Sequence, residues 1–237
     1  MLDSKKYYFY FFALIIVCCA SCRPDQSVIN PNYNKSIIQK KDGKILINDI
    51  EDLTVKKLER EDWQRPEYVV SKLGDLSNKT VVEIGPGYGF WLVYLVQEAN
   101  KVIGVDIDED AVKWLEHIKL FYSKEQQQKI DIRHVAPGDP MLEPNEVDAV
   151  LIVNTVAYIE NKVDYFQKLR EAITKDGVLV VVDYKMKDLE INIAPPKSER
   201  ISLADLEKEM RNAGLQIIQA DDKSLDHQYI LIAIDPD

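Results

Sequence analysis

Short aliphatic runs alternate along this chain with stretches whose apolar residues recur at helical spacing. The runs Thr80 to Ile84, Val102 to Val105, Ile130 to Val135, Val147 to Val153 and Val178 to Val182 predict strands. They are continuous rather than alternating, which fits strands covered on both faces by helices. Between them, Tyr88 to Ala99 and Ala111 to Leu120 predict helices, as do Val163, Phe166, Leu169, Arg170, Ala172 and Ile173 stepping around a further one. Upstream, Ile50 to Arg60 and Pro66 to Leu73 have the spacing of two short helices, the second opening on a proline and closing before Gly74. Downstream, Ser202 with Asp205 marks a helix start and Gly214 its end. Leu215 to Ile218 and Gln228 to Ile234 follow as two strands whose short acidic join predicts an antiparallel pair. The pattern is α/β: a doubly wound, mostly parallel seven-stranded sheet with an antiparallel last strand.

The N-terminus follows a different pattern. Lys5 and Lys6 precede an apolar run from Tyr7 to Ala20, and small residues lead to Cys22. A positive segment, a short hydrophobic core and a small-residue site describe an export signal, and the run is short for a bilayer span of roughly 20 residues. The segment resembles a bacterial lipoprotein signal, with Ala20-Ser21-Cys22 as the end of its lipobox. That resemblance implies removal of residues 1–21 and lipidation of Cys22, although Cys19 stands where such boxes usually have an aliphatic residue. An uncleaved N-terminal anchor is the alternative. Under both readings the lysines hold the N-terminus inside and the body lies outside the cytoplasm. Residues 22–49 are polar and carry Pro24 and Pro31, the composition of a tether, with one short strand predicted at Ile45-Leu46-Ile47. The expected organisation is a signal peptide at 1–21, a lipid-anchored tether at 22–49 and one domain at 50–237.

The chemistry concentrates at the predicted strand ends. After the first strand comes Gly85-Pro86-Gly87-Tyr88-Gly89, and glycines at alternate positions let a backbone approach a ligand where a Cβ would intrude. A helix beginning there would direct unsatisfied N–H groups at that ligand. The spacing is G-x-G-x-G. A dinucleotide fingerprint requires glycine or alanine where Phe90 stands, which argues against a nicotinamide or flavin. Asp106 ends the second strand, about 20 residues beyond the turn, where a carboxylate can accept ribose hydroxyls. The paired glycine turn favours the ribose role over the alternative, a cap on the next helix, which Asp108 could also supply. Ile107 could pack on an adenine or in the core. Asp139 follows the third strand, Asn154 the fourth, and Asp183-Tyr184 the fifth.

These residues carry a family resemblance. From about Glu61 to Ile234 the chain resembles class I S-adenosylmethionine (SAM)-dependent methyltransferases, the seven-stranded Rossmann-like group. The carrying motifs are Val82-Glu83-Ile84-Gly85-Pro86-Gly87-Tyr88-Gly89, Val102-Ile103-Gly104-Val105-Asp106-Ile107-Asp108, Glu146 to Asn154 and Lys175 to Asp183. Trp63-Gln64-Arg65-Pro66 resembles a segment in one subgroup of small bacterial members. The resemblance implies SAM as cofactor. Gly85, Pro86, Gly87 and Gly89 would hold its aminocarboxypropyl group, with Glu83 ordering the turn. It places Asp106 on the ribose, Ile107 near adenine, Asp139 or its loop near the adenine amino group, and Asn154 near the methionine end. Asp139 could instead cap a turn. Related sequences often have a histidine soon after the fourth strand, where this chain has Ala157-Tyr158, which argues against a histidine-assisted mechanism. His117, His134 and His227 are each expected to be structural, with His134 the only one that could lie near the crevice. Tyr158, Asp183 and Tyr184 are the candidate substrate-side residues.

Composition narrows the partners. A chain of 237 residues with 46% apolar content can bury one sizeable core. The formal net charge is −10, and losing residues 1–21, with two lysines and one aspartate, leaves −11. Such a surface opposes phosphate backbones, so no nucleic-acid partner is expected. Cys18, Cys19 and Cys22 are the only cysteines, which leaves the body without a disulfide, a thiolate metal site or a thiol nucleophile. The expected activity is methyl transfer from SAM to a small-molecule or lipid-associated acceptor, by a protein held at a bacterial membrane through lipidated Cys22. The alternative is an exported, non-catalytic ligand-binding protein with the same fold.

Overall fold

The computed structural model describes residues 60–190 and 193–236. The export signal, Cys22, the tether with its strand at 45–47, and the predicted helix before Arg60 lie outside the described residues. Glu61–Asp237 forms one compact unit.

Its sheet has strand order β3-β2-β1-β4-β5-β7-β6. The strands are β1 (Thr80–Ile84), β2 (Lys101–Asp106), β3 (Ile130–His134), β4 (Val147–Val153), β5 (Ile173–Tyr184), β6 (Gln216–Asp221) and β7 (Gln228–Ile234). β1 to β5 pair in parallel, and β7 runs antiparallel between β5 and β6. The predicted doubly wound sheet with an antiparallel last strand is therefore the observed one. The central runs are buried throughout because each face has its own apolar layer. On one face Val82, Ile84, Val150, Ile152 and Val181 pack under α5 (Lys162–Ala172) and α6 (Leu203–Asn212). On the other, Val81, Val102, Leu151 and Val180 pack under α1 (Pro66–Ser71), α2 (Leu92–Glu98) and α3 (Glu109–Lys119). Edge strand β6 alternates exposed and half-buried positions, as one-sided burial requires.

Some boundaries differ from the sequence reading, each for a local reason. The helix expected from Tyr88 begins only at Leu92, because Gly85, Gly87 and Gly89 take positive φ of 70, 53 and 83°. A short helix α4 (Lys124–Lys129) was not anticipated. It is polar on all sides and is set by a capping box, in which the Ser123 hydroxyl accepts from Gln126 N while the Gln126 side chain accepts from Ser123 N. β5 begins at Ile173, earlier than expected, and the ladder with β4 is irregular between Val147 and Ala149. The helix predicted from Ser202 starts as read, with Ser202 Oγ accepting from Asp205 N at 3.1 Å.

Candidate functional site

Chain order reverses between β1 and β4, so their carboxyl ends open a crevice where neighbouring connections diverge to opposite faces. The glycine turn rises from β1 into that crevice, and its glycines answer different demands. A Cβ on Gly85 would stand 2.6 Å from both Cγ2 and Oγ1 of Thr155, which follows β4. A Cβ on Gly89 would meet Leu115 of α3 at 2.9 Å. These two glycines let the turn sit close against its neighbours. Gly87 is different, since a Cβ there would meet nothing within 4 Å. Its bare backbone faces open space, as a cradle for a ligand requires. The helix terminus is set back from this point, because Pro86 to Trp91 intervene before α2.

Asp106 is buried at the end of β2, beside the glycine turn. Its Oδ2 accepts from Gly87 N at 2.9 Å and its Oδ1 from Asp108 N at 3.0 Å. The N-cap of α3 is Asp108, whose carboxylate accepts from the amides of Asp110 and Ala111. Asp106 thus leaves the helix-capping role to Asp108 and is tied to the glycine turn. Ile107 is 59% exposed, so the core reading of this side chain does not hold. It stands on the rim next to Asp106, and His134 brings its ring Nε2 to 3.2 Å from the Ile107 carbonyl. Glu83 is buried within β1, below the turn. Pro86 packs against Gly104 of β2.

Asp139 is engaged locally. Its Oδ1 accepts from Met141 N at 2.8 Å, and its Oδ2 lies 3.5 Å from the Lys168 ammonium, which also donates to Gly138 O. These contacts are those of a turn cap. The β3 loop is thereby fixed to α5.

Asn154, just past β4, holds a left-handed φ of 56°. Its Nδ2 donates to the Tyr184 hydroxyl at 3.2 Å, and its Oδ1 accepts from Gln228 Nε2. Gln228 Oε1 in turn accepts from Gln64 Nε2 at 3.0 Å, and both glutamines are fully buried. The rings of Tyr184 and His227 flank Trp63, with centroids at 6.3 and 5.7 Å. His227 therefore stands at the carboxyl end of the sheet, away from which it was expected to lie. Its Nδ1 is buried with no partner among the described residues.

Asp183 and Tyr184 point to opposite faces of β5, so they do not line one surface. Asp183 is buried, with Oδ1 accepting from Tyr184 N at 2.7 Å and Oδ2 without a partner among the described residues. Burial pushes its carboxyl up to about 6, against the pull of the Tyr184 and Ala157 amides and of Lys162 and Arg200. Tyr158 lies on the 3₁₀ turn Val156–Tyr158 and is 60% exposed. The Lys162 ammonium ties that turn down by donating to Ala157 O and Ile159 O at 3.3 and 2.5 Å.

The sequence reading singled out the glycine turn, Asp106 and Asn154 but not Gln228 or Gln64, which contact Asn154 directly and through Gln228. A polar residue opening an otherwise aliphatic strand was the one available signal for Gln228. An open cleft of about 410 Å³ lies elsewhere, bordered by Arg170, Glu171 and Asp235. Among the described residues no group of His, Cys, Asp or Glu side chains is disposed to hold a metal ion.

Comparison with known proteins bears on the fold. Residues 82–179 match the family described as "Methyltransferase domain". A SAM-dependent methyltransferase from Aquifex aeolicus is similar in structure, with 21% identity, 77% of this chain and 97% of that chain covered, and a TM-score of 0.68. A putative methyltransferase of Haloferax volcanii, solved in complex with the activator Trm112, has 15% identity, covers 77% and 94% of the two chains and has a TM-score of 0.61. Geranyl diphosphate methyltransferase in complex with SAM has 16% identity, coverage of 76% and 88%, and a TM-score of 0.61. No curated protein matches the chain in sequence. With its strand order and the matched segment between β1 and β5, the chain has the fold of these methyltransferases.

Proposed function

We propose that this protein is a SAM-dependent methyltransferase acting on a small-molecule or lipid-associated acceptor. The observation that carries the reading is the pairing of Gly87, whose bare backbone faces open space, with the Asp106 carboxylate held against it at 2.9 Å. The residues present fit the cofactor. The Gly87 backbone borders the space for an aminocarboxypropyl chain, Asp106 offers its remaining lone pairs to ribose hydroxyls, and exposed Ile107 offers an apolar contact to the adenine. Asn154 supplies an amide at the methionine end. Glu83 underlies the turn, and the Asp139 loop borders the base.

Bound SAM supplies a methyl group on a positively charged sulfur that is already an activated leaving group. The protein's task is to hold an acceptor lone pair in line with that methyl and to exclude water. Exposed Tyr158 and, with Trp63 beside it, Tyr184 are the substrate-side residues in this reading, whereas buried Asp183 points to the opposite face of β5 from Tyr184. A base is needed only for an acceptor that carries a proton near neutral pH.

The N-terminal segment adds the location: an exported bacterial lipoprotein anchored by a lipid on Cys22, its domain outside the cytoplasm. That location favours a second reading, because SAM is a cytoplasmic metabolite. Here the crevice would bind SAM, its demethylated product or another ligand without turnover. Calorimetry with SAM, S-adenosylhomocysteine and NAD tests the cofactor. Both sulfur ligands are expected to bind and NAD is not; silence from both would end the assignment. Transfer of labelled methyl from SAM into an envelope extract separates enzyme from binding protein.

A further inference from the structure

Asn154 sits at the end of a line of side-chain amides that begins just ahead of α1. Gln64, just ahead of α1, donates to Gln228 at 3.0 Å, and Gln228, the first residue of β7, donates to Asn154 Oδ1. Asn154 then donates to the Tyr184 hydroxyl at 3.2 Å. Both glutamines are fully buried. A buried amide is costly unless its donors and acceptors are met, so each member fixes the orientation of the next. A side-chain amide can turn by 180° at little steric cost, exchanging its oxygen and nitrogen. In Asn154 that exchange is blocked, because Gln228 requires an oxygen in front of its own N–H. The result is an asparagine with one N–H and one carbonyl lone pair committed, and one of each left for a ligand.

We infer that Gln228 and Gln64 are positioning residues: they set the direction in which Asn154 presents its remaining N–H and lone pair to the amino-acid end of the cofactor. The inference rests on the reading that the crevice takes SAM. It explains two features that local structure leaves unaccounted for. A glutamine opens a strand whose other residues are tyrosine, isoleucine, leucine and alanine. A second glutamine is fully buried in a segment flanked by Trp63 and Arg65, where an apolar side chain would bury more cheaply. It also makes the segment before α1 part of the site, since Trp63 lies against Tyr184 and His227 while Gln64 reaches Gln228.

The test uses the full chain with Gln228→Leu and Gln64→Leu, and two ligands: S-adenosylhomocysteine and 5′-deoxy-5′-methylthioadenosine, which lacks the aminocarboxypropyl group. Calorimetry is expected to show about tenfold weaker binding of the first ligand to Gln228→Leu, the effect of one misdirected hydrogen bond. Gln64→Leu, one step removed, is expected to lose about threefold. Affinity for the truncated nucleoside stays at the wild-type value in both. Equal losses for the two ligands would mean a merely structural role and overturn the inference, as would full retention of both affinities. Gln64→Glu, similar in shape but stripped of the donated N–H, is expected to behave like Gln64→Leu; wild-type binding by it also counts against the inference. Melting temperatures identify any variant that fails to fold, and Gln64→Met then replaces it. Absence of S-adenosylhomocysteine binding to the wild-type protein is a separate result, which overturns the cofactor reading instead.

Discussion

The amide of Gly87 donates to the carboxylate of Asp106 at 2.9 Å, so the turn after β1 and the end of β2 are joined by a charge-assisted hydrogen bond. One side chain thus shapes the turn and, under the proposed function, also faces the ligand. Asp106→Ala is expected to weaken SAM binding by roughly 1–3 kcal/mol. Asp106→Asn, which keeps an oxygen for Gly87 N, should retain the turn and recover part of that loss. Calorimetry on the two variants checks this, and unchanged affinity in Asp106→Ala would remove Asp106 from the ligand site.

Gly85 and Gly87 should fail differently. Gly85→Ala drives a Cβ to 2.6 Å from Thr155, so it is expected to destabilise the fold by roughly 1–3 kcal/mol. Gly87→Ala meets no protein atom within 4 Å and bears chiefly the cost of a left-handed alanine, roughly 1–2 kcal/mol. Its larger effect should fall on SAM affinity, because the new methyl occupies the open cradle. Urea unfolding beside calorimetry separates the two, and a Gly87→Ala protein that binds normally would place the ligand elsewhere.

Asp183 predicts an unusual pH dependence. Burial raises its folded-state pKa from 3.8 to about 6, so over that interval the native state binds more protons than the unfolded chain. The sign follows: this group lowers stability as pH rises from about 4 to about 6, by a total on the order of 3 kcal/mol at most. Asp183→Asn should lack that decline. Denaturant unfolding of both proteins from pH 3.5 to 7 measures it; parallel profiles would show that the buried carboxyl does not titrate in this range.

The N-terminal reading has its own test. In a bacterial host, Cys22→Ser should abolish lipid attachment and leave residues 1–21 uncleaved. Mass spectrometry of the membrane-bound wild-type protein should find a chain starting at a modified Cys22. An intact Met1 to Ser21 segment would favour the uncleaved anchor.

Much of the architecture was legible because strands buried on both faces must be apolar at every position. Val147 to Val153 and Gln228 to Ile234 were read with the bounds they have. Helix limits were less legible where backbone conformation overrode apolar content. Tyr88 to Trp91 read as helix, yet the glycines around Tyr88 bend the chain away until Leu92. α4 was missed because it buries none of its residues and so leaves no periodicity to detect.

The candidate site divides along the same line. Sequence by itself determined the glycine turn, the carboxylate at the end of β2 and the polar residue after β4, since each is a local departure from an aliphatic run. It left open whether Asp106 or Asp108 caps α3, whether Ile107 is core, and whether Asp139 faces a ligand or closes a turn. Tertiary structure decided the first in favour of Asp108, put Ile107 on the surface and engaged Asp139 with Met141 and Lys168. It also joined Gln64 to Gln228 across 164 positions of chain. No local pattern encodes such a contact, because it exists only once β7 has inserted between β5 and β6 and brought the start of its strand beside the end of β5. What Gly87 and Asp106 can approach is written in short motifs; how Asn154 is aimed depends on the packed sheet.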